Sequence, residues 1–467
     1  MLNIGIVEGL TPKEQSCLNE LVEVFNHHEL SNKIKAKYYE GHISLSEVNL
    51  GIAIPKQFQK LEIGCEWGRK CVDVLASRSM FDGFVGMNGE ANEELIRIMD
   101  YNRFISEYMK ARKDELKFGC TFATLSADEN RRCKIRFHSP MTSAALWSGE
   151  KGRIDCGFAI IDTVKDEKEK NTWKPSLINM YTNDAVIVLR SNGEKWFAES
   201  LPHKMGRPLM EPLIWNPTSD KPLGTSRIKE PIRRLIQGYV RTVCNATIGL
   251  EFATSPQKYL MGVTDDQFDQ IINDKFKQYV GSIIAATVNP DTGEKPTFGQ
   301  LQQGHIAPHV EMLRMLATQF SAATGLSVTD TGVVNDANPT SSDAIMAQTQ
   351  TLVLMAEQLN AANGDSLKTI AQMALAIEKD LTLDTLDEVD KNIIAHFKNP
   401  AMPSIASTAD AAIKIASARA SFADTDKFLE MLGFGQADIR IIKAQEQRVR
   451  GQQVLLEEFG DDNSGGF

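Results

Sequence analysis

Two Asp-Thr-Gly triplets, Asp291-Thr292-Gly293 and Asp330-Thr331-Gly332, are the residues whose type and spacing come nearest to catalytic machinery. Paired triplets of this kind let two carboxylates share one proton, the acid–base device of aspartic proteases. That device draws its triplets from two separate lobes, each beside buried apolar strands. Here both triplets fall within one short stretch of chain, the first after Asn289-Pro290 in a turn and the second in a loop. An acid protease built on Asp291 and Asp330 is therefore an alternative reading that the surrounding sequence does not favour. Cys120, Cys133 and His138 lie close together in sequence, but without C-x-x-C or paired-histidine spacing. Both cysteines sit in strand-like runs and read as small buried apolar residues. His27-His28-Glu29 lacks the zinc-protease spacing, and Asp82-Gly83 and Asp424-Thr425-Asp426 complete no calcium loop. There is no G-x-x-x-x-G-K-[ST] and no G-x-S-x-G. The expectation is a non-enzyme with no catalytic residue, no metal and no cofactor.

Basic clusters are the remaining chemistry. Arg233, Arg234 and Arg241 could touch phosphate, or form a solvated face that pairs with acidic neighbours. Arg440, Lys443, Arg448 and Arg450, opposed by Glu446, mark a basic helix face near the C-terminus.

The 467 residues carry a net charge of −10, with 42% apolar and 24% charged residues. That is ordinary folded composition, which excludes wholesale disorder and low-complexity chains, and the length suggests roughly three structural units. Net acidity argues against a static clamp on nucleic acid, because such clamps gain affinity from Lys and Arg through counterion release. It does not argue against a protein past which nucleic acid slides. No window reaches the uncharged apolar length of a transmembrane helix, and the N-terminus lacks the pattern of a secretory signal. Seven scattered cysteines read as free thiols in a reducing compartment.

Around these residues the pattern is α+β and mainly helical. The segment 1–110 reads as helical: Thr11-Pro12-Lys13-Glu14 is a capping box, with further helices over 66–79 and 92–113. Residues 118–200 hold short β-rich runs, with Ser191-Asn192-Gly193 as a hairpin turn. A proline-rich stretch from Pro202 to Pro222 reads as an irregular crossing, neither strand nor helix. Helix returns at Pro231 and extends to Thr254. Residues 257–304 form an insert with a strand at YLMGV, a short helix over 265–276 and a turn at 289–293. The next helix carries Ile306, Val310, Leu313, Leu316, Ala317 and Phe320 in register and stops at Thr324-Gly325. A loop over 325–339 contains no Lys or Arg. Thr340 then caps a helix that persists to Lys379, with Gly364 as a candidate kink. The C-terminal segment 398–467 is alanine-rich and helical, and its tail DDNSGGF reads as disordered. Two helices flanking an insert, followed by a polar loop and a very long helix, suit an elongated subunit packed beside copies of itself.

In order along the chain come Tyr38-Tyr39-Glu40-Gly41, then 50–55 (LGIAIP), then Trp67 with 71–78 (CVDVLASR) and Gly83-Phe84. After them come His138-Ser139-Pro140, 222–228 (PLGTSRI), 252–259 (FATSPQKY), Thr324-Gly325-Leu326 and 338–345 (NPTSSDAI). This ordered set resembles the portal proteins of tailed bacteriophages of the siphovirus type, over roughly residues 36–420. The resemblance implies a portal fold with wing, stem, clip and crown, assembling as a homododecameric ring around a central channel. On it, 1–227 is the wing, joined by the long helix and return of 340–397. Helices over 228–256 and 305–322 are the stem, 257–304 the clip, 323–339 the tunnel loop, and 398–467 the crown.

The same resemblance implies a place at one capsid vertex of the virion, with assembly in the host cytoplasm and no membrane. It implies a conduit for double-stranded DNA packaging and ejection, with terminase and then head–tail connector proteins docking on it. Major capsid protein and scaffolding protein are further implied partners. The tunnel-loop residues Gly325, Asp330, Thr331, Gly332, Asn335, Asp336 and Asn338 would line the channel. Arg440, Lys443, Arg448 and Arg450 would meet DNA or scaffold from the crown. Independently of the resemblance, a conduit should not grip its cargo, and a cation-free loop with Asp330 and Asp336 fits that requirement. A pore-less capsid or scaffold component is the alternative from another class.

Overall fold

The computed structural model describes residues 1–44, 62–86, 92–165, 173–254, 258–261, 297–300, 305–333, 342–401 and 405–460, together with 288, 293 and 295. The chain is α+β, about half helical, and divides into two compact units. The first comprises Met1–Ala36, Cys71–Ile228 and Ile345–Phe467; the second comprises Lys37–Lys70 and Lys229–Ala344.

Along the chain run β1 (Val7–Glu8), α1 (Pro12–Glu40), β2 (His42–Ser44), β3 (Glu62–Gly64), α2 (Trp67–Arg78), β4 (Phe81–Val85), α3 (Glu93–Asn102) and α4 (Phe104–Phe118). Eight strands follow: β5 (Cys120–Ala127), β6 (Cys133–His138), β7 (Ser143–Ser148), β8 (Arg153–Lys165), β9 (Trp173–Tyr181), β10 (Ala185–Ser191), β11 (Trp196–Pro202) and β12 (Met210–Ile214). Then come α5 (Glu230–Thr254), β13 (Lys258–Met261), β14 (Thr297–Gln300), α6 (Ala307–Thr324) and α7 (Ser342–Lys379). The chain continues with α8 (Glu388–Lys391), β15 (Ile394–Phe397), α9 (Ile405–Ala418), α10 (Asp426–Met431) and α11 (Gln436–Gly460).

The first unit is built on a six-stranded sheet in the order β1-β11-β10-β9-β8-β7 and a three-stranded sheet in the order β12-β5-β6. The N-terminal part of α1 lays Leu18 and Leu21 on the larger sheet, against Phe158, Ile178, Met180 and Ile187. This packing brings Cys17 to Cys156, and the two are bonded, with Cα atoms 7.5 Å apart. The expectation that every cysteine is a free thiol is corrected there. The pairing follows from a helix laid across a sheet, which no local spacing announces. Cys65, Cys71, Cys120, Cys133 and Cys244 are free and buried.

Several elements fall where the periodicity places them, including the β10–β11 hairpin and the helices α2, α5, α6 and α7. Three differ. The helix expected over 92–113 is two helices, because Arg103 adopts φ 49 and ψ 41 between α3 and α4. The proline-rich crossing contains β12, with Pro212 opposite Phe122. Its missing N–H is tolerated because β12 is an edge strand. The segment 1–110 is not purely helical, since β4 pairs with the distant β15. Helix α7 passes Gly364 without interruption, about 57 Å at 1.5 Å per residue. The helix expected over 265–276, the turn of 289–292, the cap at Thr340 and the tail of 461–467 lie outside the described residues.

The turn of 222–228 shows why its residues are needed. Gly224 has φ +75, and a Cβ there would collide with the Trp215 carbonyl oxygen. Ser226 Oγ donates to the Lys117 carbonyl (2.6 Å), and the buried Arg227 donates through Nε to the Cys71 carbonyl (2.5 Å). One side of its guanidinium lies over the Trp215 ring.

On the buried side of α4, the fully buried Glu115 accepts from Asn363 Nδ2 of α7 (2.9 Å), and the same nitrogen donates to Tyr108 Oη (3.1 Å). Burial raises the Glu115 carboxyl to about 8 from an ordinary value of 4.5. A raised carboxyl holds its proton more tightly when folded. Its contribution to stability is therefore fully present below about 4.5 and is lost as pH rises toward 8. Glu115→Gln is expected to flatten the dependence of Tm on pH across that window, measured by thermal unfolding of variant and parent.

Candidate functional site: a helix pair and the root of its loop

The second unit contains α5 and α6, packed against each other. Ile232, Ile236, Val240 and Cys244 recur every fourth position on α5 and are buried. Leu316, Ala317, Phe320 and Thr324 form the buried side of α6. Outside this seam, Arg234 is exposed and paired with Glu230 (3.0 Å), while Arg241 stands exposed one helical face away from the buried row. The second of the two readings of the arginine cluster, a solvated face with acidic pairing, describes Arg234.

Helix α6 ends on Gly325 at φ 71, whose N–H donates to the Ser321 carbonyl (2.8 Å). Ser321 Oγ donates to the Leu326 carbonyl (2.5 Å) and holds the first loop residue against the helix end. A single 3₁₀ turn, Thr329–Thr331, follows. Asp330 Oδ2 accepts from the Ser327 N–H (3.1 Å) and from Ser327 Oγ (2.7 Å), and the Asp330 N–H donates back to Ser327 Oγ (3.2 Å). Its carboxylate is thus engaged within the turn. Thr331 is buried, with its hydroxyl donating to the Val328 carbonyl (2.6 Å). Gly332, at φ 76, ends the turn.

Two side chains from the first turn of α2 hold this turn from outside. Trp67 Nε1 donates to the Thr331 carbonyl (3.0 Å), and Lys70 Nζ donates to the Asp330 carbonyl (2.5 Å). The Trp67 ring is 3% exposed and packs against both Tyr239 of α5 and Phe320 of α6, with centroids 4.6 and 4.7 Å away. The start of α2 is itself fixed on α1. A Cβ at Gly68 would collide with the Tyr38 carbonyl, and Tyr38 Oη accepts from Gln237 Nε2 of α5 (2.5 Å). Nearby, burial pushes the Cys65 thiol up to about 12, so it is neutral and structural.

Of the residues expected to line a channel, Gly325, Asp330, Thr331 and Gly332 come together at this root. Asn335, Asp336 and Asn338 lie outside the described residues, as does Asp291. Lys70 is the residue that reading the loop by itself misses. The loop sequence contains no cation, yet an ammonium group sits on its backbone, supplied by a helix remote in sequence. Trp67 stands in one of the ordered motifs, but nothing in its neighbours tells what its N–H binds. In the C-terminal segment, Arg440, Arg448 and Arg450 are exposed on α11, whereas Lys443 is paired with Asp426 of α10.

Cys120, Cys133 and His138 are engaged separately. Burial pushes the Cys120 thiol up to about 12 and raises that of Cys133 too, while desolvation lowers His138 to about 4, with its Nε2 3.0 Å from Thr124 Oγ1. Among the described residues no three His, Cys, Asp or Glu side chains group as metal ligands, and no helix is long and apolar enough to cross a membrane.

The chain belongs to a class of virion structural proteins. Residues 26–429 match the family described as "Phage portal protein, SPP1 Gp6-like", and the chain is a member of that family. The portal protein of Mycobacterium phage D29 is 25% identical over 419 residues, covering 85% of this chain and 81% of that one. The portal protein of Mycobacterium phage L5 is 25% identical over 387 residues, covering 78% and 75%. Among solved structures, a chain of "Neck of empty GTA particle computed with C6 symmetry" aligns at a TM-score of 0.47 and 11% identity, over 80% of this chain and 90% of that one. A chain of "Neck of native GTA particle computed with C12 symmetry" aligns at 0.45 and 11%, over 84% and 93%. The family is a structural one, without enzymatic activity.

Trp67→Phe keeps an aromatic ring against Tyr239 and Phe320 and removes the N–H. It is expected to cost about 1–3 kcal/mol, because the Thr331 carbonyl loses its buried partner. Backbone amide exchange at 329–333 is expected to quicken while exchange in α5 and α6 does not. Unchanged exchange in that turn would show that the indole bond does not hold it.

Proposed function

We propose that this portal protein forms a ring of about twelve copies whose central channel conducts double-stranded DNA into the capsid during packaging and out during ejection. In this reading the wing is 1–227 with 340–397, the stem is the helix pair of 228–256 and 305–322, the clip is 257–304, the tunnel loop is 323–339, and the crown is 398–467. The observation that carries it is the helix pair leading into a loop that is free of cations along its length but fixed at its root. A channel wall must stay in place without gripping what moves past it. Each Lys or Arg placed on phosphate would release counterions and add affinity, and that affinity opposes sliding. Trp67, Lys70 and the Ser327–Asp330 turn hold the root through backbone groups, and leave the loop beyond Gly332 without positive charge.

The sequence has no nucleotide-binding loop of the P-loop type, so the energy for packaging belongs to a partner. Terminase on the clip, replaced afterwards by head–tail connector proteins, fits that need. Major capsid protein and scaffolding protein complete the expected partners, and Arg440, Arg448 and Arg450 supply a basic face for DNA or scaffold.

Electron microscopy of the purified protein, with native mass spectrometry, is expected to give closed rings of about a dozen subunits with an open centre. Sheets or closed shells without a pore would favour a capsid or scaffold role instead. In packaging assays, Asp336→Lys combined with Asn338→Lys is expected to slow or stall DNA translocation while rings still form. Unchanged packaging would remove the loop from the mechanism.

A further inference from the structure

Strand β6 is the last strand of the sheet β12-β5-β6, so one of its edges has no strand beside it among the described residues. Its pairing with β5 alternates, and the side chain of Asn102 identifies which groups face outward. Asn102 Nδ2 donates to the Cys133 carbonyl (2.8 Å), and Asn102 Oδ1 accepts from the Ile135 N–H (2.8 Å). Residues 133, 135 and 137 therefore present their backbone groups to the open edge. The Cys133 N–H donates to Glu378 Oε1 (3.1 Å), so Glu378 and Asn102 together satisfy the first part of that edge and stop there. The Ile135 carbonyl and the backbone N–H and carbonyl of Phe137 continue it without another strand.

Beside this edge lies a cavity of about 540 Å³, walled by β6 and by the junction of α3 and α4. Arg103, Lys134 and Arg136 line it, and none of the three side chains has an ion pair or hydrogen bond among the described residues. Glu107, the acidic residue of the wall, is paired with Lys110 (2.6 Å). Arg103 holds its place at φ 49, a left-handed conformation that is strained for a non-glycine residue. The exposed Tyr101 forms another part of the wall. The site thus offers strand-pairing groups and unmatched positive charge together.

We propose that this edge is a docking groove for an extended, acidic segment of a partner protein, which adds a strand to β6 and places carboxylates on Arg103, Lys134 and Arg136. Main-chain bonds to Phe137 give such a segment its alignment, and alternate side chains give it selectivity. Arginine suits the role because its planar fork binds carboxylate through two bonds. Duplex DNA is the poorer fit: three cations on a chain of net charge −10 give little counterion release, and a duplex has no main chain to pair with a strand edge.

The test uses the full-length chain and fluorescein-labelled peptides in anisotropy titrations. The probe is an extended peptide of alternating Glu and Val. It is compared with its Gln–Val counterpart, with a copy N-methylated at alternate residues, and with a labelled DNA duplex. The Glu–Val peptide is expected to bind saturably. Replacing Glu by Gln, N-methylation, or Arg136→Glu in the protein is each expected to weaken binding about tenfold, the worth of one charge-assisted bond. Arg136 is exposed, and an unchanged Tm verifies that its variant folds. Failure of the Glu–Val peptide to bind, equal binding of the N-methylated copy, or preference for the duplex overturns the proposal. So does aggregation of Arg136→Glu without peptide binding by the parent, which would make the cations guards of a bare edge.

Discussion

An indole N–H can only donate, and once it is buried it must find an acceptor. Trp67 finds the Thr331 carbonyl. This single requirement organises the second unit. The ring packs against Tyr239 of α5 and Phe320 of α6, with centroids 4.6 and 4.7 Å away, so one side chain touches both helices. The acceptor has to be turned toward it, so the chain leaving α6 closes into a 3₁₀ turn stabilised by Ser327 and Asp330. The strand–turn–helix leading into α2 must deliver Trp67 to that spot, which is why Gly68 lies against the Tyr38 carbonyl with no space for a side chain.

Holding a loop through its carbonyls leaves its side chains unconstrained by the anchor. Trp67 and Lys70 both bind backbone oxygen, so substitution in the turn need not disturb them. Asp330 illustrates the opposite economy: its carboxylate is occupied by Ser327, and the negative charge of the root is committed to local geometry.

The helices were legible because apolar spacing and terminal residues report on them directly; Pro308 at the start and Gly325 at the end of α6 are examples. The β10–β11 hairpin was equally plain from Ser191-Asn192-Gly193. What could not be read depended on contacts between remote residues. Pro212 argues locally against a strand, and only the edge position of β12 accommodates it. Cys17 and Cys156 share no spacing rule. Lys70 is an ordinary lysine on a helix until the turn at Asp330 is placed on it. Arg103 hides a break in what reads as one continuous helix, because nothing about an arginine announces a left-handed backbone. The ordered motifs carried the family assignment, while the loop side chains beyond 333 stayed a matter of charge alone.

Asn363 meets both Tyr108 and Glu115, and that double contact sets the register of α7. The same helix packs its aliphatic side through Leu367, Ile370, Ala371, Met373, Ala374 and Leu375, and adds polar contacts of its own: Ser366 Oγ donates to the Pro212 carbonyl (2.7 Å), Gln372 Nε2 to the Lys391 carbonyl (2.8 Å), and Glu378 accepts from the Cys133 N–H (3.1 Å). Aliphatic ridges tolerate sliding by a turn, or rotation by one row, at modest cost. An amide that must meet a phenol and a carboxyl together does not. Asn363, with the bonds of Ser366, Gln372 and Glu378, therefore selects one azimuth and one axial position for this stretch of the helix and discriminates against neighbouring packings that bury the same apolar area.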